Sequence, residues 1–156
     1  NKIIYSGLSP RTDSNLLTKW CEDHSYELVR VETESHKGAP IYHTDVFMFI
    51  GTGVIGICYE VIKPEYREVI KEKVNRYHEV MEISKEQILD FCGNALEAKD
   101  RDGNLYLIMS SRAHGALEKN QLNMLNNFYT KIIHSDLPTI EKYGGGSARC
   151  MLSELF

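Results

Sequence analysis

The apolar-rich stretch from Val46 to Ile62 is cut in two by Gly51-Thr-Gly53. That break decides much of what the chain can become. A membrane-spanning helix needs roughly 18 apolar residues without interruption, and neither half approaches that. Both halves are rich in β-branched and aromatic residues, and the glycines suit a tight reversal. Ile41–Ile50 and Val54–Ile62 therefore read as two strands of a hairpin. Pro64 suits the first turn of a helix. Tyr66, Val69, Ile70 and Val74 then fall on one face of a helix from about Glu65 to His78. Val80–Ile83 is a short strand. The stretch 41–83 is thus one strand–strand–helix–strand unit.

The same order returns further along. Ser84-Lys-Glu-Gln87 has the form of a capping box opening a short helix to Phe91. Cys92-Gly-Asn94 breaks it. Ala95–Ala98 and Leu105–Met109 make a second hairpin around Asp102-Gly103. A helix from about Lys119 to Lys131 carries Leu122, Leu125, Phe128 and Tyr129 at helical spacing, followed by a weak strand at Ile132-Ile133. Before the first unit lie a strand to Leu8, a helix capped by Thr12 or Asp13 and running to about His24, and a strand from Tyr26 to Thr33. After the second, Leu137–Tyr143 holds a helical turn, and a last strand begins at Cys150. A repeat of about fifty residues suggests blades around an axis. The chain opens in a strand, Lys2-Ile-Ile-Tyr5, with no initiator Met, which reads as a piece of something longer.

Charge and cysteine spacing remove several classes. The net charge of −4 argues against nucleic acid as the partner, and no signal-peptide pattern is present. Cys21, Cys58, Cys92 and Cys150 form no CxxC pair, which argues against a zinc knuckle or a thioredoxin-type site. Reduced thiols and a cytoplasmic location are the expectation. No cluster of metal ligands is evident, no cofactor is expected, and His24, His36, His78, His114 and His134 read as surface or loop residues.

Three places carry residues suited to chemistry. Gly144-Gly-Gly146 strips side chains away just before Cys150, so the sulfur stands exposed to a cavity or, equally, is a structural cysteine on a flexible tail. Arg149 beside it would favour the thiolate, the nucleophilic form. His43-Thr-Asp45 heads an apolar strand, and residues i and i+2 of a strand share a face. His43 can then move protons while Asp45 holds an N–H group; the alternative is a polar strand end wetted by solvent. Asn94 is either a left-handed turn residue or an amide that orients a substrate or a loop. Arg11, in Leu8-Ser-Pro-Arg-Thr12, is either a solvated turn residue or a bidentate clamp for a carboxylate.

Taken in order, Gly7-Leu-Ser-Pro-Arg-Thr12, Tyr42-His-Thr-Asp-Val-Phe-Met48, Cys92-Gly-Asn-Ala-Leu-Glu97 and Gly144-Gly-Gly-Ser-Ala-Arg-Cys-Met151 resemble the guanidino-group modifying enzymes. This superfamily of pentein α/β propellers includes arginine deiminases, dimethylarginine hydrolases and amidinotransferases. The arginine deiminase-related branch with its citrulline-hydrolysing enzymes is most similar. The resemblance implies an α/β fold, a partial pentein propeller whose residues 1–156 form the C-terminal part. It implies a missing N-terminal half that supplies further acidic residues. It implies Cys150 as nucleophile and His43 as general acid/base. Asp45, Arg11 and, with no firm role, Asn94 contact the substrate. The expected substrate is a small ureido or guanidino amino acid, citrulline first, hydrolysed to ornithine, ammonia and carbon dioxide. An arginine deiminase, an amidinotransferase and a non-catalytic binding module are the rival readings.

Overall fold

The computed structural model describes residues 2–153. Its first segment is a strand–helix–strand unit: β1 (Ile3–Leu8), α1 (Ser14–His24) and β2 (Glu27–Glu32). β1 and β2 pair in parallel, from Ile3 opposite Glu27 to Leu8 opposite Glu32. Of the two expected caps, Asp13 is the one used; its carboxylate accepts from the Asn15 and Leu16 amides, two donors that the first helical turn leaves unpaired. The helix stops where Ser25 turns left-handed at φ 57°.

The next two segments repeat one topology. β3 (Met48–Ile50) and β4 (Val54–Ile57) are antiparallel, α2 (Pro64–Asn75) crosses over, and β5 (Glu79–Glu82) returns parallel to β4. After the short α3 (Lys85–Leu89) come β6 (Leu96–Lys99) and β7 (Leu105–Ser110), antiparallel. Helices α4 (Ser111–Ala116) and α5 (Lys119–Phe128) lead to β8 (Lys131–Ser135), parallel to β7, and α6 (Pro138–Tyr143) follows. The strands form three separate sheets, and no closed barrel or propeller is formed among the described residues. The class is mixed α/β.

Several boundaries differ from the sequence reading. The strand expected over 41–50 pairs only over Met48–Ile50, because Thr44–Val46 coils into a 3₁₀ turn. Local bonding wins there: the Phe47 amide donates back to the Thr44 carbonyl, and Thr44 Oγ1 accepts from the Gly7 amide at 3.0 Å. The strand expected over 54–62 stops at Ile57 and gives way to a turn closed by Ile62 N–H on the Tyr59 carbonyl. Helix α5 ends at Phe128 because Tyr129 is extended and Lys131 already pairs with Tyr106. Helix α4 has no counterpart in the sequence reading; Ser110 caps it by accepting from the Ala113 amide. The expected last strand at Cys150 is instead a 3₁₀ turn, Arg149–Met151, and the rest of that expectation reaches residues 154–156, outside the described residues.

One continuous core runs through the segments. Phe47, Ile55, Ile57, Ile62, Ile70, Met81, Leu107, Met109 and Leu125 are fully buried in it. At the seam between the two repeated units, Gln87 and Gln121 exchange amide hydrogen bonds of 2.8 and 3.0 Å. Each also closes the capping box of its own helix. These two glutamines fix the units to each other while satisfying their own buried amides.

Candidate active site

Five residues singled out in the sequence come from four distant stretches, and the fold brings them to one end of the strands. Arg11 stands in the turn after β1, His43 and Asp45 at the 3₁₀ turn before β3, Asn94 two residues before β6, and Cys150 in the last turn. Arg11, His43, Asp45 and Cys150 line one cavity of about 460 Å³, together with Gly7, Thr12, Tyr42, Thr44, Arg149 and Leu152. Asn94 does not line it; it lies buried behind the wall, 3% exposed, bonded to Asp45 and Cys150.

The 3₁₀ turn changes how His43 and Asp45 meet. They do not share the face of a strand. His43 is the extended residue that caps the turn, and Asp45 lies within it, leaving His43 Nδ1 4.0 Å from Asp45 Oδ1. Asp45 Oδ2 faces Cys150, whose thiol donates to it at 3.4 Å. Asp45 Oδ1 is covered from solvent and has no hydrogen-bond partner among the described residues.

Asn94 is not a left-handed turn residue. That conformation falls to Phe91, at φ 64°, which closes the turn after α3. The Asn94 amide instead donates to Cys150 Sγ at 3.1 Å, to Asp45 Oδ2 at 3.2 Å and to the Asp45 carbonyl at 3.3 Å. Its Oδ1 accepts from the Cys150 amide at 3.4 Å.

The glycine run does three different jobs. Gly145 is left-handed at φ 73°, which a side chain disfavours. A Cβ on Gly144 would stand 2.8 Å from the Ile140 carbonyl oxygen, and one on Gly146 would stand 2.8 Å from Cys150 Sγ. Gly146 is therefore bare because the sulfur occupies the space. Ser147, buried just after it, donates to Glu141 at 2.7 Å and ties the run back to α6. Cys150 is exposed, whereas Cys21, Cys58 and Cys92 are buried. Burial pushes the Cys92 thiol up to about 12, which keeps it protonated and unreactive. Arg149 donates to the Leu152 carbonyl at 3.3 Å, closing the last turn.

Sequence reasoning missed Tyr42. Its hydroxyl donates to the Gly145 carbonyl across 103 positions of chain, joining the stretch that carries His43 to the glycine run that carries Cys150. Its ring lies against His43, centroids 4.7 Å apart, and under the Arg11 guanidinium at 5.1 Å. Burial, followed by the negative charges of Cys150 and Asp45, raises the Tyr42 phenol above its ordinary value. Its position beside His43 was the only signal in the sequence. Among the other histidines, His24 is exposed and stacks on Trp20, and His78 lies half-buried in the loop between α2 and β5, where burial lowers its pKa; His114, half-buried within helix α4, departs from the expectation of a surface or loop residue. Among the described residues no three His, Cys, Asp or Glu side chains group as metal ligands, and no helix is long and apolar enough to cross a membrane.

The profile of the family described as N,N dimethylarginine dimethylhydrolase, eukaryotic, matches residues 1–156. No curated protein matches the sequence. Among solved structures, the chain is similar to the N-terminal domain of ArgZ, an arginine dihydrolase from the ornithine–ammonia cycle in cyanobacteria. The TM-score is 0.74 at 16% identity, over 96% of this chain and 50% of that one. It is similar to AgrE in a complex with L-arginine, with a TM-score of 0.74 at 12% identity, over 96% of this chain and 20% of that one. It is also similar to SxtG, an amidinotransferase from Microseira wollei, with a TM-score of 0.60 at 17% identity, over 96% and 43%. At such identities the likeness concerns the fold, and the chain spans half or less of the length of these proteins. The profile match, with the fold it shares with ArgZ, AgrE and SxtG, places the chain in the pentein guanidino-group modifying superfamily, and within it the chain belongs to the family of N,N dimethylarginine dimethylhydrolase, eukaryotic.

Proposed function

We propose that this chain carries the nucleophile and the general acid/base of a hydrolase that cleaves a C–N bond at the central carbon of an arginine-type amino acid. The carrying observation is the single cavity in which exposed Cys150 is held between Asp45 and Asn94 with His43 on the same wall. Cys150 as thiolate adds to the planar carbon. His43 protonates the nitrogen that leaves, and an amidino adduct remains on the sulfur. His43 then takes a proton from water, the hydroxide adds to the adduct carbon, and the C–S bond breaks to return the thiolate. For N,N-dimethylarginine the balance is substrate plus water to citrulline plus dimethylamine; for arginine it is citrulline plus ammonia.

The Asp45 carboxylate on the cavity wall favours a guanidinium over the uncharged ureido group of citrulline. A charge-assisted hydrogen bond to a carboxylate is about twice as strong as a neutral one. The family profile points the same way, so in this reading substituted arginine stands ahead of citrulline, which remains the rival substrate. Arg11, above Tyr42 at the rim, is placed for the substrate carboxylate. The ArgZ fold has been captured covalently bound to a reaction intermediate, which supports a covalent route in that relative. Residues 1–156 are the C-terminal part of a longer pentein domain in this reading, and the remaining half supplies further acidic groups.

The test is amino-acid analysis of the full-length protein incubated separately with N,N-dimethylarginine, arginine and citrulline. Citrulline from either of the first two, lost in Cys150→Ala, is the expected result. Ornithine from citrulline alone would make it a ureido hydrolase. No product from any of the three would leave a binding module.

A further inference from the structure

Resting on the proposed covalent role of Cys150, we infer that Asn94 is the positioning residue of the nucleophile rather than a contact of the substrate. The observation is a two-point clasp. The Asn94 side chain accepts from the Cys150 amide with Oδ1 and donates to Cys150 Sγ with Nδ2, so backbone and sulfur of one residue are gripped by one amide. The orientation of that amide follows from its surroundings. Nδ2 faces three acceptors, Sγ, the Asp45 carboxylate and the Asp45 carbonyl. A flipped amide would set an oxygen against all three and N–H against N–H.

At 3% exposure, behind Asp45 and Cys150, Asn94 has its polar atoms committed to protein groups and leaves the substrate to others. It also solves an electrostatic problem. Asp45 Oδ2 stands 3.4 Å from Cys150 Sγ, where a carboxylate and a thiolate would repel. A single Nδ2 that donates to both places positive hydrogen density between them at the moment both are charged.

The chain on either side is shaped to deliver this side chain. Phe91 accepts a left-handed conformation, uncommon for a bulky residue. Gly93 then passes so close to the 3₁₀ turn that a Cβ would stand 2.4 Å from the Val46 carbonyl oxygen. Strained turn and bare glycine together seat Asn94 under Asp45.

The test reads the sulfur directly and does not need turnover. In the full-length protein, the rate of Cys150 alkylation by iodoacetamide is followed against pH for the native sequence, Asn94→Ala and Asn94→Leu. Buried Cys21, Cys58 and Cys92 serve in the same sample as a report that the core stays closed. With the amide donor gone, labelling of Cys150 near neutral pH falls about tenfold or more, as expected for loss of a hydrogen bond to a charged group. The midpoint of its pH curve moves upward. A residue that merely filled space would alter the amplitude and leave the midpoint in place. Should Asn94→Ala expose the three buried thiols, Asn94→Leu, similar in shape and uncharged, carries the test. A native rate and midpoint in whichever variant keeps its core closed overturns the inference. If the native protein turns over no guanidino substrate while Asn94→Ala still slows labelling, the proposed reaction fails and the positioning role stands.

Discussion

Replacing Gly93 by Ala is the sharpest single perturbation of the site that leaves every polar residue in place. The added Cβ would lie 2.4 Å from the Val46 carbonyl oxygen, 2.9 Å from the Val46 carbonyl carbon and 3.0 Å from that of Phe47. All three are backbone atoms, so no flexible side chain can swing aside. An ordinary contact would require the two segments to part by roughly 1 Å, and overpacking of this kind costs about 1–3 kcal/mol. The direction of that movement matters more than its cost. One segment carries Asn94, and the other carries Asp45 and leads from His43. Hydrogen bonds of 3.2 and 3.3 Å between them would open to about 4 Å, past the range in which an amide–oxygen bond holds. Misplacing a reacting group by about 1 Å typically costs about 10²-fold in rate. The assay pairs urea denaturation with turnover of the full-length protein. Gly115→Ala, where nothing lies within 4 Å of the new Cβ, is the control; within short α4 it should be neutral or slightly stabilising. Gly93→Ala with native stability and native turnover would refute the reasoning, because the close approach would then not be what seats Asn94.

Two further outcomes follow from side-chain hydrogen bonds. Tyr42→Phe removes the donor to the Gly145 carbonyl without changing the ring that contacts His43 and Arg11. A net bond is worth about 1 kcal/mol of stability, so urea denaturation should find the variant about 1 kcal/mol less stable, and an unaltered midpoint would count against the clamp. Asp100 accepts from Asn104 and Tyr106 side chains and from the Asp102 and Asn104 amides, and these bonds, the Asn104 side chain first, lower its pKa. With the folded value below the unfolded one, its contribution is present above the unfolded pKa and is lost as pH falls through the folded value. Asp100→Ala should therefore flatten the acid side of the stability–pH curve, and parallel curves for variant and native protein would reject that assignment.

How much of this could be read from residues alone depended on the range of the forces involved. The order of the strands and helices was legible because apolar spacing and caps are local: Pro64 opens α2, and Ser84 with Gln87 closes the box on α3. The 3₁₀ turn at Thr44–Val46 was not, because its anchor is the Gly7 amide, 37 positions away. An apolar run beside it made a longer strand the natural reading. Cys150 failed as the start of a strand for a similar reason, since its conformation is fixed by Asn94 and the packing of Gly146. Cys150, His43 and Asp45 were legible as residue types suited to chemistry, and the fold brings them to one cavity. The role of Asn94 was not legible, because an amide shows its partners only when the fold supplies them.

The repeated topology explains why the site survives such slight similarity between the units. Asp45 stands just before β3, the first strand of its unit, and Asn94 stands just before β6, the first strand of the next. β3 and β6 touch each other, so the residues that precede them come together at one end. Each unit thus offers one polar position at the head of its first strand, and the approach of neighbouring units converges those positions. The helices and return strands hold the convergence but place no group in the cavity. Composition there is free to drift so long as the core stays filled, with Gln87 and Gln121 pinning one unit to the next. At the heads of the strands almost nothing is free. Gly93 has no room for a methyl group, Gly146 yields its place to sulfur, and Asn94 has no polar atom to spare. The candidate site lies where neighbouring units leave the least slack, and the Cys150 sulfur, 105 positions from Asp45, can therefore be held 3.4 Å from its carboxylate.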